Sequence, residues 1–143
     1  MLFRSEILRG FRPDLIFVDW RMERIDGFEL VKRVRAGADA INPYVPIIMV
    51  TGYADGARVK AARDAGVSDL LVKPVSLTAL AQRVETIFNE PRPFIKTPGY
   101  VGPDRRRRML PFIGADRRKV QHGLITLQEI QSWPHDHEFS DAV

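Results

Sequence analysis

Three apolar runs in this chain each stop on a residue that can do chemistry. Leu-Ile-Phe-Val at 15–18 runs into Asp19, Pro-Ile-Ile-Met-Val at 46–50 into Thr51, and Leu-Leu-Val at 70–72 into Lys73. A carboxylate can act as a nucleophile or hold a hard cation. An ammonium is a compact positive charge suited to an anionic oxygen, and a hydroxyl can donate to the same oxygen. A buried strand ending on one such group could be an ordinary solvated strand end. Three strands ending on an acid, a hydroxyl and an ammonium point to a site, provided the chain brings those ends together.

The elements between the runs are of the kind that would do so. Asp26-Gly27 is a turn, after which Phe28, Leu30, Val31 and Val34 recur at helical spacing up to Arg35. Residues 55–65 form a short Ala-rich helix, with Gly66 suited to a left-handed C-terminal cap. Ser76 suits the N-cap of a last helix carrying Leu77, Leu80, Val84, Ile87 and Phe88 on one face. Residues 1–12 read as the end of another helix, closed by Gly10. Strand and helix thus alternate. The strands are uniformly apolar, so they are expected to be buried on both faces of a parallel sheet lying between helices. Ligands in such sheets sit at the carboxyl ends of the strands, where Asp19, Thr51 and Lys73 fall.

Composition narrows the classes. The chain has 143 residues, enough for one domain with a core, with 45% hydrophobic and 28% charged residues. It has no cysteine, which excludes disulfides, thiolate metal sites and a cysteine nucleophile. No apolar run approaches membrane-span length, and the first residues lack the pattern of a secretion signal. The expected setting is cytoplasmic. The net charge of +4 is modest, but arginine is concentrated at 105–108.

Residues 13–90 resemble the receiver domain of two-component response regulators. The matching stretches, in order, are Pro-Asp-Leu-Ile-Phe-Val-Asp-Trp-Arg-Met, Asp-Gly-Phe-Glu-Leu, Pro-Ile-Ile-Met-Val-Thr-Gly and Ala-Gly-Val-Ser-Asp-Leu-Leu-Val-Lys-Pro-Val. The resemblance implies an α/β, doubly wound parallel sheet of flavodoxin-like type. It implies that Asp19 accepts a phosphoryl group from a histidine kinase or phosphotransfer protein. By the same resemblance Thr51 bonds the phosphoryl oxygen and Lys73 pairs with the phosphate across a typically cis bond to Pro74. Asp19 and the backbone carbonyl of Arg21 would contribute to a magnesium site. These roles suit phosphoryl transfer, which is mostly positioning and charge neutralisation.

The sequence departs from the family pattern in three places. The first β-α-β of a receiver, with its acidic pair, has no counterpart here, so the expected fold is N-terminally incomplete and the expected metal site lacks two carboxylates. A misassigned start or a fragment is the favoured explanation; a sheet completed by a partner or by the tail is the other. The strand at 15–18 would then be an open apolar edge, available to pair with a second copy. The second departure is Leu70, at a position where the family often has a tyrosine or phenylalanine switch. The third is Glu23, in place of the usual proline in the loop after Asp19; Glu23 and Arg24 could modulate access to the site.

From Pro91 the composition changes, and residues 91–143 are expected to be a largely irregular tail beyond a receiver unit at 1–90. Gly-Pro-Asp-Arg-Arg-Arg-Arg at 102–108 and Gly-Ala-Asp-Arg-Arg-Lys at 114–119 form a crude basic repeat. A nucleic-acid patch is the sharper reading and a solvated interaction tail the simpler one, since the tail also carries acids and lacks interleaved aromatics. The remaining length is too short for the barrel of a cyclic-dinucleotide-binding PilZ domain, whose arginine-rich start this run also resembles. His135 and His137 flank Asp136, a weak metal-binding pattern, and residues 124–130 could form a short helix. The expectation is a single-domain response regulator that acts by phosphorylation-dependent protein interaction and is not an enzyme. A receiver-like module that is never phosphorylated is the alternative.

Overall fold

Side chains from just outside each helix start it. Asp26 accepts from the Phe28 amide, Asp55 from Arg58 and Ser76 from Ala79, satisfying donors that the first helical turn leaves unpaired. The computed structural model describes residues 12–23, 25–38, 41–105 and the backbone of 123–125. The helical reading of 1–12 apart from its last residue, Arg24, the arginines at 106–108, the second basic cluster and the His135–His137 pattern all lie outside the described residues.

The elements run β1 (Ile16–Asp19), α1 (Gly27–Arg35), β2 (Ile47–Thr51), α2 (Gly56–Ala65), β3 (Asp69–Val72) and α3 (Leu77–Asn89). The three strands form a parallel sheet in the order β1-β2-β3, the α/β architecture expected from the apolar runs. Asp19 lies opposite Val50, and Thr51 opposite Val72. All three strands therefore finish at one edge. Gly66 ends α2 at φ 93°, in the left-handed conformation expected of it.

The core lies between one sheet face and the pair α1 and α2. Ile16, Val18, Ile47 and Met49 from the sheet meet Val31 and Val34 of α1 and Ala62 and Ala65 of α2, all buried. Each fully buried valine or isoleucine contributes roughly 1.5–3 kcal/mol. The opposite face differs from the expectation of strands covered on both sides. Phe17 is 47% exposed, and α3, on that side, buries no residue. The reason is the distribution of helices: α1 and α2 both return to the first face, leaving α3 to cover the second. A cleft of about 460 Å³, lined by Leu71 of β3 and by Ala79, Gln82, Arg83, Glu85 and Thr86 of α3, separates the two. An ion pair from Arg83 to Asp69 at 3.2 Å bridges helix and sheet.

The segment after Glu90 corrects the expectation of an irregular tail. Residues β4 (Phe94–Thr97), β5 (Tyr100–Pro103) and β6 (Gly123–Ile125) make an antiparallel sheet in the order β5-β4-β6. The prolines bound these strands instead of interrupting them. Pro93 precedes β4, Pro98 sits in the turn and Pro103 closes β5. Aromatic and β-branched residues fill β4 and β5, flanking a Pro-Gly turn. Leu124 and Ile125, which the sequence suggested for a helix, are in β6.

This hairpin packs on the amino-end pole of the parallel sheet. Phe94 meets Tyr44 edge-on with ring centroids 5.9 Å apart. Arg105 pairs with Asp64 of α2 at 3.0 Å and lies over the Tyr100 ring. Two glycines allow the closest crossing. A Cβ on Gly66 would lie 2.4 Å from the Val101 carbonyl oxygen, and one on Gly102 would lie 2.7 Å from the Gly66 Cα. Gly102→Ala is therefore expected to cost about 1–3 kcal/mol through overpacking. Gly99→Ala, in open space in the same hairpin, is expected to be near neutral. Urea denaturation of the two variants beside the parent checks this.

Candidate functional site at the strand ends

The β1–α1 connection sets the carboxylate. Gly27 opens α1 directly against the end of β1, and a Cβ there would sit 2.0 Å from the Asp19 carbonyl oxygen. Only glycine permits that approach, although the sequence marks Gly27 merely as part of a turn. The Trp20 amide then donates to Val50 O at 2.8 Å, continuing the β-ladder past Asp19. The Asp19 side chain is thereby held at the rim, half-exposed.

Lys73 reaches it from β3. Its Nζ donates to Asp19 Oδ2 in an ion pair, while the Arg21 amide donates to Oδ1 at 3.1 Å. The hydrogen bond from Lys73 holds the Asp19 carboxyl below the ordinary aspartate range; burial opposes it, and the Arg21 amide and the lysine charge add to it. Lys73 leaves β3 through a cis bond to Pro74. Of the three strand-end groups, the structure thus joins two directly.

Thr51 is the third, and it is turned away. It is 1% exposed. Its hydroxyl donates to the Tyr53 carbonyl at 2.8 Å and accepts from the Tyr53 amide at 3.2 Å. Its backbone carbonyl accepts from the Lys73 amide, so backbone ties it to the site while its hydroxyl is occupied in its own loop. Leu70 packs against the core cluster. Glu23 and Arg21 are exposed in the β1–α1 loop.

Sequence reading missed three further residues around the rim. Arg58 of α2 lies over Trp20 at 5.6 Å and over Tyr53 at 5.3 Å from the ring centroids. An aromatic directly after Asp19 and another two residues after Thr51 were the available signals; the arginine that joins them lacks a local one.

Receiver domains generally bind magnesium, a cation that prefers several oxygen ligands. Asp19 is the carboxylate expected to hold it here, with the Arg21 carbonyl as the second donor expected. No group of three or more acidic, histidine or cysteine residues that could hold a metal occurs among the described residues. The described donors therefore do not by themselves make a magnesium site.

Replacing Lys73 by methionine removes the main interaction acting on the carboxylate. The Asp19 titration midpoint is expected to rise toward the ordinary aspartate value, as followed by carboxyl carbon chemical shift. The ion pair's contribution to stability is present above the unfolded-state pKa and is lost as pH falls through the lower folded value.

The carboxylate and the lysine thus meet across the carboxyl ends of β1 and β3, with β2 between them. Residues 4–85 match the family model of the response regulator receiver domain. The chain is 35% identical over 83 residues to the transcriptional regulatory protein AfsQ1 of Streptomyces coelicolor, a match covering 58% of this chain and 35% of that protein. It is 31% identical over 75 residues to chemotaxis protein CheY-3 of Vibrio cholerae, covering 52% of this chain and 56% of that one. The chain thus spans only part of the length of these relatives. Among solved structures, CheY4 of Vibrio cholerae is similar with a TM-score of 0.53 and 26% identity, over 58% of this chain and 68% of that one. A response regulator from Clostridium difficile aligns with the same TM-score and identity, over 59% and 66%. With the family match covering more than half of its residues, the chain belongs to the response regulator receiver domain family.

Proposed function

We propose that the chain is a single-domain response regulator that accepts a phosphoryl group on Asp19 and signals by phosphorylation-dependent interaction with a protein. The observation that carries this is the Lys73–Asp19 ion pair at the open edge of the sheet. The donor is a histidine kinase or phosphotransfer protein. An Asp19 carboxylate oxygen forms the bond to phosphorus as the donor's P–N bond breaks. The imidazole keeps the electron pair of that bond and is protonated. Lys73 moves from the carboxylate to a phosphoryl oxygen and offsets its charge. Thr51 leaves Tyr53 and donates to another phosphoryl oxygen.

The output surface in this reading lies between Leu70 and Phe88. Its support is the exposure there, with Leu77 85%, Phe88 51% and Val72 49% exposed. Among the described residues β1 pairs on one side only, with β2, and its other edge is a further surface on which a second copy could dock. No described helix is long and apolar enough to cross a membrane, and a cytoplasmic setting is part of the proposal. A role for the basic run in nucleic-acid binding gains no support at Arg105, whose guanidinium is engaged with Asp64 and Tyr100. The protein has no enzymatic output in this reading; it positions its own acceptor.

The test is intact mass after treatment with acetyl phosphate and magnesium, beside Asp19→Asn. A gain of one phosphoryl group in the parent, lost in the variant, is expected. A folded parent that gains nothing would overturn phosphoryl acceptance and favour the reading as an unphosphorylated interaction module.

A further inference from the structure

The described residues divide the site into a fixed part and a loose part. Trp20 is partly buried, packs against the core cluster and tilts on Phe28 with centroids 6.0 Å apart. Tyr53 is 60% exposed, yet its backbone holds both hydrogen bonds of the Thr51 hydroxyl. Arg58 lies over both rings. It is also in the first turn of α2, which carries no acid there. A cation at a helix N-terminus opposes the helix dipole, so its position does not serve the helix. Its backbone is fixed by the Asp55 cap at 2.7 Å, which aims the side chain at the rim.

We propose that Arg58 is a positioning residue that ties loose Tyr53 to fixed Trp20 and so keeps Thr51 in its resting hydrogen bonds, setting how readily Thr51 turns toward Asp19. The consequence for phosphorylation rests on Asp19 being the acceptor; the resting stack does not. For Thr51 to turn, it must give up its Tyr53 partners, and Tyr53 is free to move only when its ring leaves Arg58. The stack therefore opposes the phosphoryl-bound arrangement. It supplies a ring-based restraint in a chain whose Leu70, packed in the core, has neither ring nor hydroxyl.

The test uses the full chain with Trp133→Phe, leaving Trp20 as the one tryptophan. Arg58→Met, Arg58→Lys and Tyr53→Ala are compared with the parent. The resting readouts are Trp20 emission and the Thr51 methyl chemical shift; the functional readout is the rate of labelling by acetyl phosphate. Arg58→Met is expected to move both resting signals and raise the labelling rate about two- to fivefold, the size of a partly exposed cation–π contact. Arg58→Lys, which keeps the charge, is expected to fall between. Tyr53→Ala keeps the backbone partner of Thr51 at an exposed position and is expected to act in the same direction, so it decides the matter if Arg58→Met misfolds. Unchanged resting signals would overturn the stack itself. Moved signals with an unchanged rate would overturn its control of Thr51. If the parent is not labelled at all, the acceptor reading fails, and the resting signals still decide whether the stack holds Thr51.

Discussion

A single buried arginine joins all the units that the site depends on. Arg35 is the last residue of α1, and its guanidinium is held by carbonyls from the other two β-α units. Nε donates to Gly66 O at 2.9 Å, and Nη1 donates to Pro43 O at 2.6 Å and Val45 O at 2.7 Å. These carbonyls lie just before β2 and β3. The ion thus fixes two strand entrances and the end of α1 relative to one another, and the regular rise of parallel strands carries that alignment to their exits. Burial pushes the Arg35 pKa down to about 9, with Tyr100 opposing the shift, which leaves it charged at neutral pH. Nη2 has no partner among the described residues, so this is a costly group kept for its geometry. The Phe94 ring, 5.1 Å from the guanidinium carbon, extends the same tie to the hairpin.

At the opposite pole the energetic situation is inverted. Asp19 and Lys73 are half-exposed and make their pair near water, where such contacts contribute little to stability. Their alignment is inherited from the strands beneath them, and the pair leaves both groups accessible to an incoming anion. Thr51, by contrast, is buried and satisfied. A hydroxyl in that state is stable where it is, and any reorientation must exchange two existing hydrogen bonds for new ones. The site combines two reachable charges with one withheld donor.

Much of this was legible locally. Uniform apolar runs gave three strands, Asp55 and Ser76 marked helix starts, Gly66 marked a helix end, and the strand-terminal Asp19, Thr51 and Lys73 identified the edge that matters. Those signals are short-range, each set by a few neighbouring residues. What was not legible depended on pairs distant in the chain. Arg35 reads as an ordinary cation in the last turn of an amphipathic helix until the loops at 43–45 and 66 close on it. Arg58 reads as a surface residue until Trp20 and Tyr53 arrive from different loops. The hairpin was hidden because a proline-rich stretch suggests broken structure, although Pro93, Pro98 and Pro103 each stand at a strand boundary. Exposure of Phe17 was hidden for a related reason: an apolar strand does not state which of its faces the helices will cover.

The crossing of Gly66 and Gly102 anchors the hairpin to the parallel sheet. Because backbone lies against backbone there, the path of β5 is fixed without relying on any particular side chain. That anchor sits at the strand-entrance pole, at the other end of the parallel strands from Asp19. The hairpin and the rim are therefore antipodal, and the side chains that decorate β5 can change without touching the ground on which Asp19 and Lys73 meet.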